Sequence, residues 1–213
     1  MSFTLFMLLV QASVWTIGIS AISILLGFLL ALALSAALLS GRPLFIRPAQ
    51  FFISFFRGVP LLVQLLLIYN LLPFIGLNVP SIVAAIIGMT LCTAAYQAEN
   101  LRGGFESVPG GLVEAADMVG FSPRQVFVRI KIPIALRLTF PALVNEAIMI
   151  LKSSSLVSVV GIIEITRMAQ DLASSTYLPI QIFSSAALIY LVICWCVAMA
   201  GRYGERSLPG AVK

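Results

Sequence analysis

The sequence predicts an all-α integral membrane bundle of five transmembrane helices, and three observations carry that prediction. Of the 213 residues, 61% are hydrophobic and only 10% are charged, where a soluble domain carries about 25%. The apolar residues gather into five segments, each long enough to cross a bilayer. The cations gather at one set of alternating segment ends, as the rule for membrane orientation requires.

A spanning helix needs about 20 mainly apolar residues. The segments that meet this test are residues 10–39, 51–72, 81–101, 138–160 and 180–200. The whole chain, 1–213, reads as one membrane domain. Residues 1–9 are expected to lie along the membrane surface ahead of the first span. Turn chemistry marks the joints: Gly41-Arg42-Pro43 closes the first span, Pro73, Gly76 and Pro80 bracket a short loop, and Pro179 precedes the fifth span. Proline cannot continue the hydrogen-bond ladder, and glycine accepts positive φ.

The first charged residue is Arg42. A signal peptide needs a positive region before its apolar core, so the amino-terminal segment is expected to be retained as a membrane helix. Arg42, Arg47 and Arg57 flank the first loop. Arg102, Arg124, Arg129, Lys131 and Arg137 lie in the third loop, and Arg202, Arg206 and Lys213 in the tail, against Arg167 alone on the opposite side. The bias predicts an amino terminus outside and a carboxy terminus in the cytoplasm. The net charge of +5 is thus spent on orientation, with no patch on a polar surface to suggest nucleic acid. Cys92, Cys194 and Cys196 all sit in apolar stretches, without metal-ligand spacing, and read as packing residues.

Residues 102–137 are too polar for membrane and too patterned for linker. Pro109-Gly110-Gly111 opens the stretch, and residues 112–119 are helix-permissive, with Glu114 in an early turn where the helix dipole favours an anion. Gly120 sits where a helix ends in the left-handed conformation. Ser122-Pro123 is a cap followed by proline at the first helical position. A second short helix follows, and Pro133 marks re-entry toward the fourth span. The product is a helix–glycine–helix knob.

Glu114-Ala115-Ala116, three residues, Gly120, nine residues, then Ile130-Lys131-Ile132-Pro133 resembles the EAA loop of bacterial ABC importer permeases. Ile132 stands where the family commonly has leucine. The resemblance covers essentially the whole chain. Phe56-Arg57-Gly58-Val59-Pro60 is similar to the arginine-glycine-threonine-proline stretch of polar amino acid permeases, with Val59 replacing threonine. Residues 95–104 and the lysine-bearing stretch 151–161 are similar to the third and fourth spans of that subfamily. Asn145-Glu146 resembles subunits that handle basic or opine-like substrates.

The resemblance implies a type I importer permease fold in the bacterial inner membrane. Glu114, Ala115, Ala116, Gly120 and Pro133 would form the coupling helix that docks on a dimer of ATPase subunits. It implies a second permease chain, identical or related, and an extracytoplasmic amino-acid-binding protein. ATP and magnesium would be bound by the ATPase and no cofactor by this chain, which has no Gly-x-x-x-x-Gly-Lys-Ser/Thr loop.

Ionisable residues within spans are costly and mark functional sites. Glu99, Glu146 and Lys152 are the candidates here, with Gln64, Tyr96 and Asn145 as neutral companions. Glu146 and Lys152 are six residues apart, about 600° of rotation, and point some 120° from each other. Asn145 shares the Lys152 face. Together the six suggest a polar site for an amino acid zwitterion, with Lys152 meeting the carboxylate and Glu99 or Glu146 the ammonium. Two other functions fit the apolar bulk: a subunit of an ion-coupled transporter or channel, and a non-transporting membrane scaffold. The first leaves the patterned loop unexplained, and the second gives the intramembrane charges no purpose.

Overall fold

The computed structural model describes residues 3–207. Nine α-helices make up this stretch: α1 (Phe3–Leu39), α2 (Pro43–Gly58), α3 (Leu61–Phe74), α4 (Ser81–Glu106), α5 (Gly110–Met118), α6 (Pro123–Val126), α7 (Ile132–Ser153), α8 (Ile165–Thr176) and α9 (Pro179–Ser207). A π-turn, Phe127–Lys131, joins α6 to α7, and a 3₁₀ stretch, Ser154–Val160, extends α7. No strand occurs among the described residues. Lys213, counted above with the tail cations, lies outside them.

Among the described residues, four helical stretches are long and apolar enough to cross a membrane: Phe3–Leu39, Ser81–Glu106, Pro123–Val160 and Pro179–Ser207. A fifth crossing exists if α2 and α3 count as one span, but they meet at 107°. The expected straight helix over 51–72 is therefore corrected. Val59-Pro60 breaks it, because proline disfavours a helical conformation in the residue before it, and Val59 is extended at φ −94°, ψ 132°. The expected surface segment over residues 1–9 is corrected from Phe3 onward, where the chain already belongs to the continuous α1.

The core shows what holds such a bundle together. The buried stripe of α1 is mostly small: Ala12, Ser13, Thr16, Ser20, Ser23, Gly27, Ala31 and Ser35, with Leu9 and Ile19. Its large side chains, among them Trp15, Leu25 and Leu29, point outward. This inverts the pattern of a soluble helix, because lipid solvates leucine as well as a protein core does, and close backbone packing becomes the source of cohesion. α1 lies against α4, where a Cβ on Gly27 would overlap the Thr93 methyl and stand 3.3 Å from the Ala94 nitrogen. The Ser35 hydroxyl donates to the Ala98 carbonyl across this seam at 3.2 Å. α4 also meets α7 closely, since a Cβ on Gly104 would crowd Thr139 and the Ala135 carbonyl.

The helix α8 is a feature the sequence reading passed over. It is short and strongly amphipathic, buries Ile165 and Ala169, and lies on the opposite side of the bundle from α5 and α6. Its N-cap, Glu164, is fully buried. The carboxylate accepts from the backbone N–H of Thr166 at 2.9 Å and of Arg167 at 2.8 Å, and from the Tyr190 hydroxyl of α9 at 2.9 Å. The Thr16 hydroxyl of α1 accepts from the Ile165 N–H at 3.3 Å. One buried carboxyl thus fastens α8 to α9, with α1 alongside.

Burial pushes the Glu164 pKa up, against the pull of those hydrogen bonds. The native state therefore holds the proton more tightly than the unfolded chain does. The associated stability is complete below the ordinary glutamate pKa of about 4.3 and is lost as pH rises through the raised native value. Thermal midpoints of the purified protein should fall over that pH range relative to Glu164→Gln. Parallel curves for the two proteins would refute this.

Candidate functional site

Two regions of the chain gather chemistry: a pair of cavities around the α2–α3 break, and the knob between α4 and α7.

The break leaves the Phe56 and Val59 carbonyls without helical partners: Pro60, four residues on from Phe56, has no N–H. Gln64, in the first turn of α3 and almost fully buried, supplies the partner. Its Nε2 donates to the Phe56 carbonyl at 2.8 Å and the Val59 carbonyl at 2.7 Å. The Nε2 of this side chain, which was expected to meet a substrate, is thus committed to clamping the break. That clamp fixes the last turn of α2, and with it Arg57.

Arg57 lies where two cavities meet. The first cavity, of about 340 Å³, is walled by the break itself, by Cys92 and Tyr96 of α4, and by Glu146, Met149, Ile150 and Ser153 of α7. The second, of about 640 Å³, lies toward the knob and is lined by Gln50, Ser54, Glu99, Arg102 and Glu106 among others. Arg57 alone lines both. Its guanidinium carbon stands 5.4 Å from the centre of the Tyr96 ring, a cation–π distance. Its Nη1 stands 3.7 Å from Glu99 Oε1.

The six residues expected to form one polar site are therefore divided. Tyr96 and Glu146 share the first cavity. Glu99 belongs to the second, where Arg102 grips both its oxygens and also bonds Glu106. Asn145 is on the other face of α7, in a shallow cleft with Val144, Ala198 and Arg202 of the α7–α9 contact. Lys152 is exposed and near Cys194 of α9, in keeping with the face it shares with Asn145. Neither Asn145 nor Lys152 lines the first cavity. Arg57, counted with the loop cations and quoted in the stretch Phe56-Arg57-Gly58-Val59-Pro60, was given no place in the polar site. The signal that could have found it is the Gly58-Val59-Pro60 break directly after it.

The knob follows the turn chemistry of its sequence. α5 ends in a Schellman motif: the Phe121 N–H donates to the Ala116 carbonyl at 3.0 Å and the Gly120 N–H to the Asp117 carbonyl at 3.0 Å. Gly120 takes φ +82°, a conformation that costs other residues energy. Ser122 caps α6, and the capping box is completed by Gln125, whose Oε1 accepts from the Ser122 N–H at 2.8 Å. Ala116 is buried, while Glu114, Ala115, Met118 and Val119 are exposed. Met118 and Val119, 90% and 75% exposed, form a bare apolar tip.

Pro133 was expected to mark re-entry toward the fourth span. It lies in the first turn of α7, in a helical path that runs unbroken from Pro123. The preceding turn is widened to π, with the Ile132 N–H donating to the Phe127 carbonyl. That widening absorbs the donor and the space that proline denies a regular helix. Phe105 of α4 stacks on Phe127 at 5.7 Å between ring centres, fixing the knob to the bundle.

A broken helix beside an intramembrane carboxylate and a rigid exposed knob on an apolar bundle are features of a transport subunit. Residues 23–208 match the family described as the binding-protein-dependent transport system inner membrane component. The chain belongs to this family. It is 38% identical over 194 residues to the nopaline transport system permease protein NocM of Agrobacterium fabrum, covering 86% of this chain and 80% of that one. It is 33% identical over 194 residues to the arginine transport system permease protein ArtQ of Bacillus subtilis, covering 91% and 89%. A crystal structure of an amino acid ABC transporter with histidines superposes with a TM-score of 0.89 at 33% identity, covering 94% of each chain. The chain thus has the fold of a type I ABC importer permease, and this membership displaces the ion-coupled and scaffold alternatives.

Proposed function

We propose that this chain is the membrane subunit of an ATP-driven importer for a polar amino acid of the basic or opine-like class. Two permease chains line the pathway, an extracytoplasmic binding protein delivers the substrate, and a dimer of ATPase subunits receives the knobs. ATP and magnesium belong to those subunits. The carboxy terminus is cytoplasmic, on the side of α5 and α6, and the amino terminus is outside.

The observation that carries the substrate reading is Glu146 in the first cavity, opposite the break. A carboxylate beside an aromatic ring in an apolar setting suits a cationic amino or guanidinium group. The substrates after which the NocM and ArtQ systems are named, nopaline and arginine, carry such a group. The docking reading draws on the exposed Met118–Val119 tip and on the small Ala115 beside it, which permits close approach. Alternating access would use the α2–α3 break, where two short helices can tilt without unwinding a long one.

Glu146→Gln keeps the size of the side chain and removes its charge. In proteoliposomes holding the whole transporter, uptake of L-arginine should fall about tenfold or more, the scale of a lost charge-assisted hydrogen bond. ATP hydrolysis without substrate should persist. Unchanged uptake of L-arginine, L-ornithine, L-histidine and nopaline in this variant would sink the cavity assignment.

A further inference from the structure

Arg57 is the only cation lining the first cavity, a position for which the sequence offered Lys152. Three features hold it there. It is in the last turn of α2, which the Gln64 clamp immobilises through Phe56 and Val59. Its guanidinium lies over the Tyr96 ring. Glu99 stands 3.7 Å away, too long for a good hydrogen bond, while Glu99 itself is bonded through both oxygens by Arg102. Arg57 is therefore oriented without being consumed. Its side chain remains 41% exposed, and its planar fork of donors matches a carboxylate. Glu146 lines the same cavity.

We propose that Arg57 is a specificity-determining residue that receives the α-carboxylate of the substrate, while Glu146 receives its cationic group. This rests on the substrate reading of the first cavity and deepens it: the site selects molecules that carry both charges. Because Arg57 also lines the second cavity, the carboxylate can stay paired as the substrate moves toward the knob side. Glu99 is then the intramolecular competitor that reclaims Arg57 after release.

The test is a thermodynamic cycle on the intact transporter in nanodiscs, without binding protein, using L-arginine and agmatine, its analogue lacking the carboxylate. In the wild type, L-arginine should bind about tenfold more tightly than agmatine, the scale of a charge-assisted pair. In Arg57→Met that preference should vanish, with agmatine binding no weaker than before. Glu99→Gln, which leaves Arg57 in place, should tighten L-arginine a fewfold and leave agmatine unchanged. This second variant decides the matter if Arg57→Met fails to assemble. A preference for L-arginine that survives in Arg57→Met, or a Glu99→Gln variant that shifts both ligands equally, overturns the proposal. If the wild type binds neither ligand, nor L-ornithine, L-histidine or nopaline, the cavity itself is not the substrate site, and both readings fall together.

Discussion

Replacing Gly120 with valine is expected to uncouple the chain from its ATPase while leaving the membrane helices folded. Gly120 holds φ +82°, and a side chain there costs about 1–2 kcal/mol from the clash of Cβ with the backbone. Valine adds the stiffness of a branched Cβ. The cost falls on α5, a helix of nine residues that cannot be stable by itself at that length. Its last turn relaxes by giving up the Schellman bonds from Phe121 and Gly120, and Met118 and Val119 lose their positions. A Cβ at Gly120 would meet no other atom within 4 Å, so the damage is conformational and local. Co-purification with the ATPase should drop about tenfold or more, with the thermal midpoint of the bundle little changed. Gly111→Ala is the control. Gly111 lies within α5 at ordinary φ and open space, so alanine there should stabilise by about 0.5–1 kcal/mol and leave coupling intact. Equal losses in both variants would mean that the turn geometry is irrelevant.

The largest loss of stability should come from Gln64→Leu. The substitution keeps the volume and removes both donors to the Phe56 and Val59 carbonyls. Each carbonyl left unpaired costs about 1–3 kcal/mol where water cannot reach it, and less at Val59, which lines the first cavity. The two together amount to at least about 1–3 kcal/mol, a large share of any fold's margin. Gln64→Glu should fare no better, because an ionised carboxylate accepts only and would face two carbonyl oxygens. A Gln64→Leu protein with the wild-type thermal midpoint and full assembly would show that the break does not depend on this clamp.

The helical bundle was legible because hydropathy and cation placement report directly on the solvent. The knob was legible as well. Gly120 and Ser122-Pro123 are local signals, and local turn chemistry decided the outcome there. The second span misled, since its apolar composition is that of one rod while Val59-Pro60 bends the path by 107°. Composition reports where a segment dissolves and not whether it is straight. Helix α8 was missed because its apolar face is one short stripe, stabilised by distant partners such as Tyr190 and Thr16. The polar residues of the spans were found by type but not by grouping. Helical rotation did separate Glu146 from Lys152, yet only packing shows which face of α7 meets α4 and which meets α9. Gln64 and Glu146 are equally buried-looking in the sequence. One is taken up by backbone carbonyls and the other lines a cavity, a distinction that arises from the α2–α3 break.

The central claim is that ATP hydrolysis, received through the knob, drives a zwitterionic amino acid through the cavity beside Arg57 and Glu146. Its most direct test is reconstitution of the chain with its partner permease, ATPase and binding protein in proteoliposomes. Accumulation and ATP hydrolysis are then measured together across basic, acidic and neutral amino acids and nopaline. ATP-dependent accumulation of a basic or opine-like substrate is expected, with hydrolysis stimulated by that substrate and the coupling lost in Gly120→Val. A flat response across the panel, or accumulation driven by an ion gradient in the absence of ATP, would contradict it.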